Sequence, residues 1–449
     1  MNLLDHLQLA DPLGLALATE ASSLQFQDLI AEAEGLRAAL GEVRGIRLFL
    51  NIADPVAAVI ALAALDGVAG ALILSSPTLD AATVAVLAAR AEADAILSDR
   101  NDLLEEIPVV HRVADLALVP VSRVFGGATD WVMTTSGTTG RPKLVAHGLD
   151  SLTRTTKQDQ LRGRAQVWGL LYDYTRFAGL QVMLQSLLSG AVLGVPSADL
   201  SLEGRIAFLA GMGVTHLSAT PTFWRKVLMT PGAERLALRQ ITLGGEIADD
   251  TILSALTRRY PGARVSHIFA STEAGVGFSV TDGRAGFPVI FLDEPPLGIG
   301  LQIRDGRLFI RNERVASHYL GGEGELACDG WVDTGDQVRV NDQRVLFLGR
   351  SNGVINVGGD KVHPEEVEAV ILSHPAVEMV RVYAKKNPIV GALVATDIMP
   401  RPGCSDHAAL REELKHWLAT RLERHKVPAF IRIVEEFETN AAGKLKRGE

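Results

Sequence analysis

Along the first third of the chain, short apolar runs at 46–51, 71–75 and 95–98 alternate with stretches of helical period, against a background rich in Ala and Leu. The runs read as strands and the intervening stretches as helices. The most apolar stretch, DPVAAVIALAALDGVAGALILSS, is interrupted by Asp66-Gly67. Each half is too short to span a bilayer, so it reads as a buried helix over 55–65 and then the 71–75 strand. The middle of the chain repeats the alternation. SLEGRIAFLAGMG reads as a helix behind a Ser cap, VTHLSA as a strand, and TPTFWRKVLM as a helix with Thr220 at the N-cap and Pro221 in the first helical position. RQITLGG, ADDTILSALTRRY and ARVSHIFA follow as strand, helix and strand. Such alternation predicts an α/β domain built on a mainly parallel, helix-covered sheet.

The texture changes after about Arg284. LQIRDGRLFIR places Asp305-Gly306 between two alternating arms, and DQVRVNDQRVLFLGR reads as a second hairpin. The 284–349 region therefore reads as a small antiparallel, barrel-like subdomain. From Val354 a compact α+β unit follows. Its strands are VINVGG, VEMVRVYA, GALVATDI and AFIRIVEEF, and its helices PEEVEAVILSH and DHAALREELKHWLATRLERH. The Gly/Ser/Asn cluster GRSNG suits a hinge. The expected division is a large N-terminal domain over 1–349, a hinge over 350–353 and a small mobile domain over 354–449. The chain carries no repeat of 20–50 residues and no low-complexity tract.

Composition narrows the function. With 449 residues and 47% hydrophobic content, the chain can fill a sizeable core, and its net charge of −9 speaks against nucleic acid as a partner. Its two cysteines, Cys328 and Cys404, stand in no ligand spacing, which fits a reducing cytoplasm rather than a disulfide framework. The start of the chain has early acids and no basic segment, so a signal peptide is not expected.

One string carries chemistry. TTSGTTGRPK, from Thr134 to Lys143, lies between two β-like runs. Gly137 and Gly140 let the backbone turn and present N–H groups. Thr135, Ser136, Thr138 and Thr139 add hydroxyls, and Lys143 a fixed positive charge. Such a run suits an anion, although it lacks the GK[ST] ending of a P-loop, and a plain solvated turn would share its composition.

The order of the string closely resembles the phosphate motif of the adenylate-forming (AMP-binding) superfamily, which includes acyl-CoA synthetases, aryl-acid ligases and adenylation domains. Five further segments resemble that family's motifs in the family's order: LGGE (243–246), IFASTEAG (268–275), WVDTGD (331–336), LGRSNGVINVGGDKVHPEEVE (348–368) and NAAGKLKR (440–447). The resemblance implies ATP-dependent activation of a carboxylic acid as acyl-adenylate, release of pyrophosphate, and acyl transfer to CoA. The acid and CoA would be its partners, and ATP and Mg2+ its nucleotide and ion.

By the same resemblance, Thr135, Ser136, Gly137, Thr138, Thr139, Gly140 and Lys143 would hold the phosphates, and Glu273 with Thr135 would place Mg2+ beside Thr272. Gly244, Gly245 and Glu246 would flank adenine, with His267, Phe269, Ala270 and Ser271 on its other side and Phe269 stacking. Asp336 and Arg350 would hold the ribose, an internal salt bridge being the plain alternative. Lys444 would bridge substrate carboxylate and α-phosphate during adenylation. Asn352 would be the hinge, and Gly358 and Gly359 would line the thiol path after the small domain swings. Arg176, Phe177 and Phe223 would face the acid, Arg176 pairing either a second anion on the substrate or an internal acid.

The chain departs from the family pattern in several places. Phe269-Ala270 stand for Tyr-Gly, His267 for an amide, Leu144 for Gly, Leu149 for a downstream His (with His147 offset from it), Asn352 for Asp or Lys, and Glu438 for Pro. No carrier domain follows Arg447, so a separate acyl-carrier protein is an open alternative acceptor. An amine or water as acceptor, or a silent nucleotide-binding homologue, are the other readings.

Overall fold

The computed structural model describes residues 1–39, 45–106, 110–111, 127–135, 143–312, 318–320, 329–387 and 391–437. The run from Ser136 to Pro142 and the tail bearing Lys444 lie outside the described residues.

Two sheets carry the N-terminal region. One has seven strands in the order His318–Leu320, Lys143–His147, Asp130–Thr135, Ala71–Leu74, Arg47–Asn51, Ala95–Ser98, Val110–His111. The other has eight, in the order Gly275–Val280, Arg264–Ser271, Gln240–Gly244, His216–Ala219, Val167–Leu170, Val192–Gly194, Leu15–Ala18, Ser23–Gln25. The interiors are parallel, and antiparallel strands close both edges of the eight-stranded sheet and one edge of the seven-stranded sheet. The parallel sheet expected from the alternation is thus two sheets. Residues 71–74 and 95–98 are buried throughout, as parallel strands covered on both faces must be.

The sheets share one core. Leu48, Leu50, Leu72, Leu74, Trp131 and Met133 from the first meet Leu17, Leu170 and Leu193 from the second, with the Phe177–Leu188 helix among them. The Pro55–Leu65 helix matches the bounds expected of it. Asp54 caps it by accepting from the Val56 N–H, and eight of its residues are buried, which its nearly uniform apolarity demands. Strands 15–18, 167–170 and 192–194 carry no signal of their own. They are three or four residues long and are drawn into register by their neighbours, Leu17 opposite Leu193 and Val192 opposite Val167.

The next part is a five-stranded antiparallel half-barrel, in the order Phe287–Pro288, Arg344–Arg350, Trp331–Asn341, Arg307–Arg311, Gly300–Arg304. Asp305 and Gly306 turn its first hairpin with φ of 48° and 72°, the two positive values a tight hairpin turn needs.

A small C-terminal domain completes the chain. Its sheet joins Asp360–Val362, Ile355–Val357, Gly391–Pro400 and Val377–Asn387, with Phe430–Ile433 alongside 391–400. Helices Pro364–Leu372 and His407–Ala419 cover one face. The second helix ends well before His425, where the pattern would carry it. Its buried stripe is Leu410, Leu414 and Leu418, and just past it the Thr420 hydroxyl donates to Trp417 O at 3.0 Å, competing with the helical ladder. The last strand likewise stops at Ile433 rather than Phe437. Lys226 Nζ, on the Pro221–Met229 helix, reaches Phe437 O at 3.0 Å across the domain boundary. Among the described residues no helix is long and apolar enough to cross a membrane.

His216 ties this fold to pH. It stacks on Trp168 with centroids 4.6 Å apart, and burial, followed by the nearby Arg239 charge, pushes its pKa down to about 4 from an ordinary 6.5. Between those values the unfolded chain binds the proton and the native state does not, so stability is complete above about 6.5 and falls as pH drops toward about 4. Replacing it as His216→Gln should flatten this acid limb. Urea unfolding at pH 7 and at pH 4.5 checks it, and a variant deficit equal at both values would refute the assignment.

Candidate active site

Strands 130–135 and 143–147 pair with Thr135 opposite Lys143 and Trp131 opposite His147. Side chains alternate across a pleated sheet, so Thr135, Lys143 and His147 stand on one face, the face carrying Trp131 and Met133 into the shared core. Thr135 Oγ1 is buried and has no hydrogen-bond partner among the described residues. Lys143 Nζ rests against Tyr319, 3.4 Å from its hydroxyl and 4.8 Å from its ring centroid. A neutral aromatic leaves the ammonium charge uncancelled and available to an anion. Tyr319 was not legible as a site residue, because only the pairing of 318–320 with the Lys143 strand brings it there.

The 264–271 strand delivers the second group. At its end the Ser271 hydroxyl accepts the Ala274 N–H at 2.9 Å, closing the turn that holds Glu273. Glu273 is half-buried and forms no hydrogen bond or ion pair among the described residues. His147 grips the same turn. Its Nε2–H donates to Thr272 O at 2.7 Å, and its Nδ1 faces Ser151 Oγ at 3.3 Å. The carbonyl can only accept, so Nε2 carries the proton. Burial pushes the ring's pKa down to about 4, which keeps it neutral.

On the adenine side expected from the sequence, Gly244 O accepts from Tyr172 at 3.3 Å, and Gly245 takes φ of 80°. Burial, then the Glu246 charge, pushes the Tyr172 phenol upward, so it stays a donor. Glu246 accepts the Thr222 N–H at 3.0 Å and holds the start of the 221–229 helix, which presents half-buried Phe223. His267 Nε2–H donates to Arg284 O at 3.1 Å, and burial lowers its pKa. Phe269 lies opposite Phe278 and stacks on it and on Phe347 at 5.3 and 5.2 Å. Its ring thus already belongs to an aromatic cluster of the half-barrel, while Ala270 packs on the N-terminal core.

Asp336 and Arg350 face each other across two half-barrel strands, 3.7 Å apart, with side chains 18% and 49% exposed. So long and open a pair contributes little stability. Arg176 Nη1 donates to Thr134 O at 2.8 Å. Among the described residues it has no carboxylate partner, so the internal acid weighed for it is replaced by a backbone carbonyl of the phosphate strand. Phe177, next to it, is buried, and its ring centroid lies 5.8 Å from that of His147.

The remaining expected groups stand elsewhere. Gly358 and Gly359 form an exposed hairpin tip with φ of 63° and 106°, and Asn352 belongs to the Ser351–Gly353 turn that precedes this hairpin. Ser136, Gly137, Thr138, Thr139, Gly140 and Lys444 lie outside the described residues. The donors present fit magnesium, since an orphaned hydroxyl and an unpaired carboxylate are hard oxygens. No group of three or more His, Cys, Asp or Glu forms a metal cluster among the described residues. An ion completed by water and phosphate oxygens needs none.

The chain is built from two helix-covered sheets, a half-barrel and a small α+β domain. The chain belongs to the AMP-binding enzyme family: the model of that name matches residues 25–330, and the AMP-binding enzyme C-terminal domain matches 366–444. It is 32% identical over 359 residues to a Salinispora arenicola protein named "Probable non-canonical nonribosomal peptide synthetase (NRPS) CymA", a match covering 73% of this chain and only 4% of that one. A 2-succinylbenzoate–CoA ligase of Bacillus cereus is 26% identical over 339 residues, covering 71% of this chain and 68% of the relative. The structure of the anthranilate CoA ligase AuaEII with anthranoyl-AMP superposes with a TM-score of 0.82 at 18% identity, covering 100% of this chain and 96% of the other.

Glu246 tests the local architecture. A hydrogen bond to a charged acceptor contributes about 1.5–3 kcal/mol, so Glu246→Ala should lower stability by about that amount. The urea midpoint measures it, and an unchanged midpoint would show that the helix start is held without Glu246.

Proposed function

We propose that the protein is an AMP-forming acid–CoA ligase. A substrate carboxylate oxygen attacks the α-phosphorus of ATP, and the bond to pyrophosphate breaks. A thiolate then attacks the acyl carbon, and the bond to AMP breaks. The observation that carries this reading is a set of groups uncommitted among the described residues, the orphaned Thr135 hydroxyl, Lys143 resting on a neutral ring, and Glu273, on strands and a turn that His147 ties together. Family membership and the CoA-ligase relative support it.

In this reading Lys143 and the 135–140 run neutralise the phosphates, and Asp336 with Arg350 takes the ribose hydroxyls. Thr135 and Glu273 would hold Mg2+, which supplies charge neutralisation on the phosphate oxygens. Gly244, Gly245 and Glu246 bound the adenine side. Arg176, anchored on Thr134, lies between phosphate strand and acyl wall, where Phe177 and Phe223 exclude water. Lys444 would supply an ammonium where negative charge builds. Division at 350–353 lets the small domain turn about Asn352, withdraw Lys444 and bring the Gly358-Gly359 tip to the thiol path. The 32% identity with a peptide synthetase favours, as second reading, a separate acyl-carrier protein as acceptor in place of CoA.

Acid-dependent ATP–pyrophosphate exchange against pooled aliphatic, aryl, amino and dicarboxylic acids should respond to one pool. Silence from all pools, with magnesium present and ATP shown to bind, would overturn the reading. Lys444→Ala should reduce exchange by about 100-fold or more while ATP still binds, and exchange left intact would remove Lys444 from the chemistry. With the responding acid, CoA should raise AMP release; a response to a carrier protein alone would select the second reading.

A further inference from the structure

Among the buried polar side chains that the functional reading leaves without a task is His147. His147 is 0% exposed, yet its ring is not sealed into the apolar core by packing alone. One nitrogen meets Ser151, four residues on, and the other reaches 125 residues along the sequence to Thr272 O at 2.7 Å. Thr272 immediately precedes Glu273.

The turn bearing Glu273 is held by its carbonyls from two sides. Arg154 Nη2 donates to Val276 O at 2.6 Å, from the same segment as His147, and Asn312 Nδ2 donates to Ala274 O at 3.3 Å from the end of the half-barrel. His147 is distinct among these donors because it shares a strand and a face with Lys143, whose register partner is Thr135. Among the described residues, the His147–Thr272 hydrogen bond thus connects the strand pair carrying Thr135 and Lys143 to the turn carrying Glu273.

We infer that His147 is a positioning residue that sets Glu273 relative to Thr135, so that the two oxygens can share one magnesium ion with bound ATP. This rests on the adenylation reading. Loss of the donor leaves Thr272 O unsatisfied and the turn free to shift along the strand. Groups that orient ligands without touching the ion commonly govern metal affinity by about 10–100-fold.

The test is calorimetric titration of ATP into the full chain, once in EDTA and once with excess MgCl2, and needs no knowledge of the acid. His147→Leu should keep the EDTA affinity of the wild type and lose about 10-fold or more of the magnesium-dependent gain. His147→Gln, whose amide reaches about as far as Nε2, should restore most of that gain. If the Leu variant does not fold, His147→Asn takes its place, since its amide stops short of Thr272 and it should lose the gain that Gln keeps. A gain undiminished in Leu or Asn, or affinity lost equally with and without magnesium, overturns the inference alone. A wild type that binds ATP no better with magnesium overturns the adenylation reading, and the inference with it.

Discussion

Everything in the N-terminal region depends on two parallel-cored sheets burying their facing sides in one shared core. Strands covered on both faces satisfy their polar backbone only through the ladder. Uncommitted polar groups can therefore gather only where the ladders stop. In this chain the orphaned Thr135 hydroxyl stands at the end of strand 130–135, and Glu273 stands in the turn just past strand 264–271. The 177–188 helix packs in the shared core with nine of its residues buried, so its N-cap Arg176 and first residue Phe177 are held beside strand 130–135, where Arg176 donates to Thr134 O. Tyr174 reinforces the arrangement by donating to Ile52 O at 2.6 Å across the two sheets.

The half-barrel attaches to this frame through aromatic packing. Phe269, Phe278, Phe287, Phe291 and Phe347 form one cluster, and it fixes where Asp336 and Arg350 stand relative to the 264–271 strand. Contacts to the small domain are sparse and mostly polar. Beyond Lys226 and Phe437, Arg339 pairs with Glu366 at 3.7 Å. Gly349 has φ of 135°, and a Cβ there would lie 2.2 Å from Glu365 Oε2. An interface of that kind separates more readily than a shared apolar core.

Local rules read from the chain hold where one signal is strong. The 55–65 helix, the Thr220–Pro221 helix start and the Asp305-Gly306 hairpin are set by caps, proline and turn chemistry within a few residues. They fail where the deciding partner is distant, as in the short strands 15–18 and 192–194 or the early end of the 407–419 helix. The surroundings of Phe269 show the same limit: the string IFASTEAG is visible in the sequence, but the ring's neighbours Phe278 and Phe347 are not.

By itself, then, the sequence determined the family and the α/β class with its half-barrel and small terminal unit. Those properties live in contiguous strings, where spacing and residue type suffice. Tertiary structure alone decided that two sheets rather than one build the core, that Tyr319 supports Lys143, that Arg176 is anchored on Thr134, and that His147 reaches Thr272. Each of these is a contact between segments far apart in the chain, and local pattern carries no information about register, packing or which carbonyl a buried donor will find.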